Sequence, residues 1–469
     1  MSTHQPTPTI LLPDLPPKTL VGIDLITFTS TPNFHGIRDL SPGWHFLYTG
    51  ATETLSLRSG AWFYIGDITT AGKGSNNTAL VAQGRNKNQT QNAPGPEIYI
   101  WKWDSNTESL VALDSDSGSA RQESMRYKAN LGSVWQSGGL FKYRSRIAPS
   151  MLVKPVAESE PGENNEEDKP EPQIEARIQT EDDAQTEENG RRDWSGLTDR
   201  ISPNLLSRVI GNPEIDVDGH PRWVLSSAST AIRDADHIPG VDSPAEASLE
   251  PEISEEPERE FGFIPVDLKR TWREGAVGRE RTEAAKDRSW ALGDLIDRYA
   301  GEAAGGNQLL GELQFTFLMV LTMMNYSCLQ QWKRLLGLIL TSRSAILDRE
   351  AFMSEVLRIL SLQLQRCDDV DGGLFEIDGD EGGAFLRDLL MKLRQSVDDL
   401  VGDSESEVKF ELDKLEEWVE AEYDWELRRG AVVRHGMLQL EDGEQVEMDW
   451  DGNDEDDETG EYAPVIVNT

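Results

Sequence analysis

The stretch GWHFLYTG, residues 43–50, decides the fold. In an extended chain successive side chains point to opposite faces, so Trp44, Phe46 and Tyr48 share one face while His45 and Leu47 share the other. Neither face is polar, so both must be covered. The neighbouring runs TLVGIDLITF (19–28), GAWFYIGDI (60–68) and EIYIWKWD (97–104) have the same β-branched and aromatic character, with Gly, Pro, Asn and Ser turns between them. Together they predict an N-terminal β-rich domain over 15–150, a β-sandwich-like unit. The Gly-, Asn- and Gln-rich stretch 69–96 has too little to bury and reads as a long loop on that domain.

Beyond residue 150 the pattern changes. Between 158 and 190 thirteen carboxylates face only Lys169 and Arg177, which predicts an extended, solvated linker over 151–192. Order resumes at RDWSGLTDRISPNLLSRVIG (192–211), where Ser202 is placed to cap a helix whose first residue is Pro203. A second loose stretch, 212–260, reads as a largely disordered insert. After it, DRSWALGDLIDRYA (287–300) puts Trp290, Leu292, Leu295, Ile296 and Tyr299 mostly at helical spacing. The run LLGELQFTFLMVLTMMNYSCLQQWKRLLGLILTS (309–342) is apolar on every side in its first half, the mark of a central bundle helix. Its second half narrows to a stripe of Leu329, Trp332, Leu336 and Ile339. Whether it is one helix or two stays open at Asn325. Further helices are predicted at 349–365, 383–401 and 407–427, giving an all-α helical-bundle domain over 193–427 and an acidic tail over 428–469. The fold class is therefore α+β multidomain.

With 84 acidic against 45 basic residues the formal charge is −39, and such a chain is repelled by phosphate backbones and anionic membranes. The best basic candidates are KYRSR (142–146) and the WKRLL run (332–336), and both are short. Two cysteines, Cys328 and Cys367, make no disulfide framework and no zinc spacing, which points to a reducing compartment. Neither the N-terminus nor the apolar run 315–324 has the length of a leader or a membrane span, so a soluble intracellular protein is expected.

Catalytic and metal patterns are weak. DSGSA (116–120) matches an aspartic-protease string, but that chemistry needs two carboxylates sharing a proton and one copy is present. A surface turn is the better reading. CDDVDGGLFEIDGDEGG (367–383) puts Cys367 where a calcium loop needs its first ligand, and AGKGSNNT (71–78) lacks the glycine spacing of a phosphate loop. The six histidines are scattered. No cofactor, no metal and no enzymatic activity are expected.

Gly22-Ile23-Asp24, then Phe34-x-Gly36-Ile37, then Pro42-Gly43-x-His45-Phe46-Leu47-Tyr48 resemble the amino-terminal signature of the AAR-two splicing-factor family, named from A1-alpha2 repression. The helical half resembles it independently, with Glu312, Leu313, Gln314 and Phe315 followed by Trp332, Lys333 and Arg334 in the family's order. YAPVIV (462–467) is similar to the family's carboxy-terminal Ala-Pro-Val-Val-Val segment. The inserts at 69–96, 158–190 and 212–260, and the acid run before the tail, depart from the usual pattern. The resemblance implies a non-enzymatic, monomeric assembly chaperone of the U-five small nuclear ribonucleoprotein, working in cytoplasm and nucleus. It implies binding to the central scaffold protein of that particle, at its RNase-H-like and MPN-type domains, which holds off RNA and the unwinding helicase. The alternative is a generic acidic scaffold or chaperone that masks basic clients.

In the family the tail adds a strand to the partner, which assigns partner contact to Tyr462, Ala463, Pro464, Val465, Ile466 and Val467. Ordering six residues costs roughly 6 to 12 kcal/mol of backbone entropy. Burial of two valines and an isoleucine returns roughly 4 to 9 kcal/mol, and each strand bond adds about 0.5 to 1.5 kcal/mol. So nearly balanced a segment acts as one tethered contact beside the folded domains.

Overall fold

The computed structural model describes residues 7–51, 57–68, 97–113, 118–146, 181–231, 260–299, 306–367, 380–402 and 404–428, together with two strands at 435–439 and 445–449. The sequence readings for 69–96, 158–180, Asp116, most of the acidic 367–383 loop and 462–467 lie outside the described residues.

Two sheets form the N-terminal half. Strands β2 (Leu20–Ile23), β3 (Ile26–Thr29), β5 (Gly43–Gly50) and β6 (Arg58–Ile65) make the antiparallel body of the first. The second has the order β8-β7-β1-β4-β9, from β1 (Thr9–Leu11), β4 (Gly36–Arg38), β7 (Ile98–Asp104), β8 (Ser109–Ala112) and β9 (Leu140–Lys142). It is mixed, with β1 parallel to β7 and antiparallel to β4. Between the sheets lie Val21, Ile37, Leu47, Phe63 and Trp101. The opposite face of β5 carries Trp44, Phe46 and Tyr48 into the core of the helical half. The strand 43–50 is thus covered on both sides, as its alternation demands.

Several elements differ from the sequence expectation. The insert 212–260 contains β10 (Glu214–Ile215) and β11 (Pro221–Ser226), and β11 extends the first sheet to the order β10-β11-β6-β5-β2-β3. Trp223 sits opposite Trp62 in that pairing and is fully buried. DSGSA is not only a turn, because helix α1 (Gly118–Gln136) starts within it. α1 covers the outer face of the second sheet with Ala120 and Leu131. The acidic linker ends earlier than expected, since α2 (Glu181–Thr198) begins inside it. There Glu187 is buried and its carboxylate accepts the Ser145 backbone N–H at 3.0 Å. A buried carboxylate with backbone donors keeps its charge at far lower cost than one without. The acidic tail also holds a hairpin, β12 (His435–Gln439) against β13 (Gln445–Asp449).

The helical half follows the predicted stripes closely. It contains α3 (Pro203–Val209), α4 (Arg279–Lys286), α5 (Ser289–Arg298), α6 (Asn307–Met323), α7 (Tyr326–Ile339), α8 (Ala345–Asp348) and α9 (Glu350–Leu364), then the helices Asp380–Val401 and Glu407–Tyr423. The question left open at Asn325 resolves as two helices. Met324 takes a left-handed conformation (φ 53°), and the Asn325 side chain accepts the Cys328 N–H at 2.9 Å to start α7. Ser202 caps α3 as expected, accepting the Leu205 N–H with Pro203 in the first turn. Ser202→Ala should lower stability by about 1 kcal/mol, the usual worth of such a cap, as read by urea unfolding.

Candidate functional site

Family-signature residues of the N-terminal half meet at the base of β5. Gly22 lies opposite Tyr48 in the β2–β5 register, and a Cβ on it would fall 2.0 Å from the Tyr48 ring. Only glycine lets the ring cross there. Gly36 is held the same way, with the Ile10 carbonyl oxygen 2.2 Å from where its Cβ would be. Gly43 has φ 128° and Pro42 is exposed, both at the entry to β5. Ile23 is buried between the sheets.

Asp24 turns the chain with φ 57°, which aims its carboxylate into the domain. Its Oδ1 accepts the Phe46 N–H at 2.9 Å; Oδ2 lies 2.8 Å from His45 Nδ1 and accepts the Tyr143 hydroxyl at 2.5 Å. The other ring nitrogen of His45 faces the Ser41 carbonyl at 2.7 Å. With an acceptor at each nitrogen, the doubly protonated imidazole is the form that satisfies both contacts. Burial alone would lower the His45 pKa, but the Asp24 charge and hydrogen bond and the Ser41 carbonyl outweigh it and raise the value. Burial, with the Asp24 charge and hydrogen bond, pushes Tyr143 well up. The Asp24–His45 pair has the outline of a hydrolase dyad, yet it is sealed in the core and the group beyond the histidine is a carbonyl oxygen. It fastens β5 to the β2–β3 turn. Tyr143 belongs to KYRSR, a run that drew notice only for its charge.

This network carries a pH dependence. A histidine whose pKa rises on folding stabilises fully below its unfolded value near 6.5, and that stabilisation is lost as pH rises through the folded value. His220, also raised, acts in the same direction. Unfolding midpoints should fall from pH 6 to pH 9, and His45→Gln should show a flatter decline.

The second group of signature residues lies on and beside α6. Glu312, wholly buried, forms an ion pair with Arg208 Nη1 at 2.7 Å and accepts the Ile264 N–H at 3.0 Å and Gln331 Nε2 at 2.8 Å. Gln314 accepts the Arg200 N–H at 3.0 Å and donates to Gly196 O at 2.8 Å and Asp199 Oδ1 at 2.7 Å, tying α6 to the α2–α3 junction. Phe315 packs between Trp62 and Phe261. Trp332 Nε1 donates to Gln363 Oε1 at 3.1 Å, and Gln363 donates on to Leu313 O at 3.1 Å. The two long polar side chains set into the buried part of this apolar helix, Glu312 and Gln314, are thereby satisfied. Arg208, Gln331 and Gln363 escaped sequence reasoning, because their partners are far away in the chain.

Tryptophans join the two halves. Trp44 Nε1 donates to Ile201 O at 2.9 Å, while Trp194 Nε1 donates to Trp44 O at 2.7 Å. Trp194 also stacks on Trp62 with centroids 6.1 Å apart. Sheet and bundle therefore share one core.

Among the described residues one trio, Asp216, Asp218 and His220, brings metal-type ligands together. Its atoms are already engaged. Asp216 Oδ1 accepts the N–H groups of Asp218 and His220, Oδ2 lies 3.0 Å from His220 Nδ1, and Asp218 pairs with Lys128 at 2.6 Å. The trio pins the β10–β11 turn. Among the described residues, hollows of two sizes open on the helical half. The larger, about 1030 Å³, is an acidic groove between α4, α5 and α8. Trp290, expected on the buried stripe of α5, is 45% exposed at its edge. The smaller, about 490 Å³, lies between the end of α7 and the helix Asp380–Val401. No helix among the described residues is long and apolar enough to cross a membrane.

Comparison with known proteins agrees with both groups. A family model described as the AAR2 N-terminal domain matches residues 6–211, and one described as the AAR2 C-terminal repeat region matches 263–428. Proteins named "Protein AAR2 homolog" from Homo sapiens and Pongo abelii are each 27% identical over 179 residues, 36% of this chain and 45% of theirs. The one from Oryctolagus cuniculus is 29% identical over 182 residues, 36% of this chain and 52% of that protein. The matched stretch thus spans about half the length of these curated relatives. With the signature residues of both halves in place, and with family models covering well over half of its length, the chain belongs to the AAR2 family.

Proposed function

We propose that this protein is a pre-mRNA splicing factor, an assembly chaperone that binds the central scaffold protein of the U-five particle and shields it from RNA and helicase. The carrying observation is that both family halves are present and share one core through Trp44, Trp62 and Trp194. A platform of that kind presents a fixed surface, and preorganisation lowers the cost of binding a large partner. The polar signature residues Asp24, His45, Glu312 and Gln314, with Trp332, are spent on internal hydrogen bonds, so recognition falls to the surface and to the tail strand 462–467. The protein acts in cytoplasm and nucleus, without catalysis.

Binding of the purified full-length chain to the scaffold protein's RNase-H-like and MPN-type fragment tests the reading, with core histones as a basic control. Selective binding to the fragment is expected. The charge of −39 favours a second reading, a general mask for basic proteins, which predicts equal binding to histones.

A further inference from the structure

The larger hollow is built from two helix faces of the same kind. Glu280, Glu283, Ala284 and Asp287 follow one another at the i, i+3, i+4, i+7 spacing of a single face along α4, and Trp290, Gly293, Asp294 and Asp297 repeat that spacing along α5. The opposite face of α5 carries Leu292, Leu295 and Ile296 into the core, whereas α4 buries no residue at all. Ala345 and Asp348 of α8 complete the wall. The frame is fixed, because the Asp287 carboxylate accepts the N–H groups of Ser289 at 3.0 Å and Ser344 at 3.1 Å, and Ser289 Oγ accepts the Ala345 N–H at 3.0 Å. A groove already held open in this way needs little ordering to receive a ligand.

Four of its six carboxylates have a cation beside them. Glu280 pairs with Arg273 at 3.1 Å, Glu283 with Arg279 at 2.6 Å and Asp294 with Arg298, while Asp297 stands 4.0 Å from Arg349. These pairs lie in solvent, where such contacts contribute little and are readily exchanged. Asp287 has no cation; burial pushes its pKa up, but the hydroxyl and N–H groups of Ser289 and Ser344 outweigh that and keep it ionised. Asp348 lines the groove with no cation partner among the described residues. Trp290 is likewise unpartnered: among the described residues it makes no hydrogen bond and no contact with a second ring or a cation.

A free indole beside carboxylates suits a cation that can meet both. A guanidinium lies flat on an aromatic ring and forks onto a carboxylate, which a lysine ammonium cannot do. The second tryptophan of the groove already has this arrangement, with the Arg281 guanidinium 5.6 Å from the centre of the Trp272 ring. A metal ion is a poorer fit. Among the described residues only Asp216, Asp218 and His220 converge as metal ligands, so the charge of this groove is spread along its length. Its volume of about 1030 Å³ stands at the top of the roughly 300 to 1,000 Å³ range of small-molecule sites, room for several residues of an extended chain. We propose that this groove docks an arginine-rich peptide segment of a partner protein, one arginine stacking on Trp290 and its neighbours pairing with Asp348 and the acidic faces of α4 and α5. This contact is independent of the scaffold reading.

Fluorescence anisotropy of labelled hexa-arginine and hexa-lysine with the full-length protein, at physiological ionic strength, tests this. Saturable binding of hexa-arginine is expected, tighter than that of hexa-lysine and weakened about tenfold by Trp290→Ala, as loss of a partly desolvated cation–π contact does. Asp348→Asn should weaken it by a smaller factor, and Trp290→Phe should keep part of the affinity. Glu422→Gln, which removes an exposed carboxylate from the helix Glu407–Tyr423, should leave it unchanged. Trp290 and Asp348 are both exposed, so their replacement keeps the fold. Absence of saturable binding, equal affinity for the two peptides, or affinity indifferent to Trp290→Ala and Asp348→Asn overturns the proposal.

Discussion

Arg208→Met is expected to lower the unfolding free energy by about 3 kcal/mol, the low end of what removing one partner of a buried ion pair costs. The low end applies because the Arg208 side chain keeps 22% of its exposure while Glu312 keeps none. Once the guanidinium is gone, the Glu312 carboxylate retains only the Ile264 N–H and the Gln331 amide as donors. A buried charge so placed has lost its paired cation. Adding Glu312→Gln should restore part of the loss, because the buried charge then disappears while an acceptor for Ile264 remains. Urea unfolding of the single and double variants measures both effects. A loss below 1 kcal/mol for Arg208→Met would show that the pair is not what holds α3 to α6.

Trp194→Ala should cost about 3 to 5 kcal/mol, the usual range for removing a buried tryptophan. The side chain is nearly inaccessible, stacks on Trp62, and supplies the hydrogen bond to the Trp44 carbonyl. Truncation leaves a cavity at the seam between sheet and bundle and a buried acceptor without its donor. Two consequences are expected in calorimetry. The wild-type chain unfolds its two halves together, and the variant separates them into two transitions at a lower temperature. A single transition with an unchanged midpoint would mean that the seam does not couple the halves.

The sequence announces the elements whose side chains obey one period. Residues 43–50 alternate cleanly, Ser202 and Pro203 spell a helix start, and 309–323 are too apolar to lie anywhere but the centre. Elements that escaped lack such a period. α1 buries little beyond Ala120, Ser124 and Leu131, so its face is too sparse to stand out from a polar run. β11 hides its strand pattern behind Arg222, which is buried because it pairs with Glu214 and donates to the Leu110 carbonyl. In α2 the carboxylates that read as solvated include Glu187, which works as an acceptor inside the fold. Trp290 follows the helical stripe of α5 yet emerges at a groove, since spacing fixes a face but not what covers it. The polar networks were the least legible part. Tyr143 is 119 residues from Asp24, and Glu312 lies more than a hundred residues from Arg208. Nothing local in either sequence marks such a partner.

The affinity of the scaffold protein's RNase-H-like and MPN-type fragment, compared between the full-length chain and a version lacking residues 463–469, tests the account most directly. If the folded halves anchor the complex and the terminal strand adds one tethered contact, truncation should weaken binding about tenfold, near 1.4 kcal/mol, without abolishing it. Equal affinity of the two proteins, or no binding by either, would contradict it.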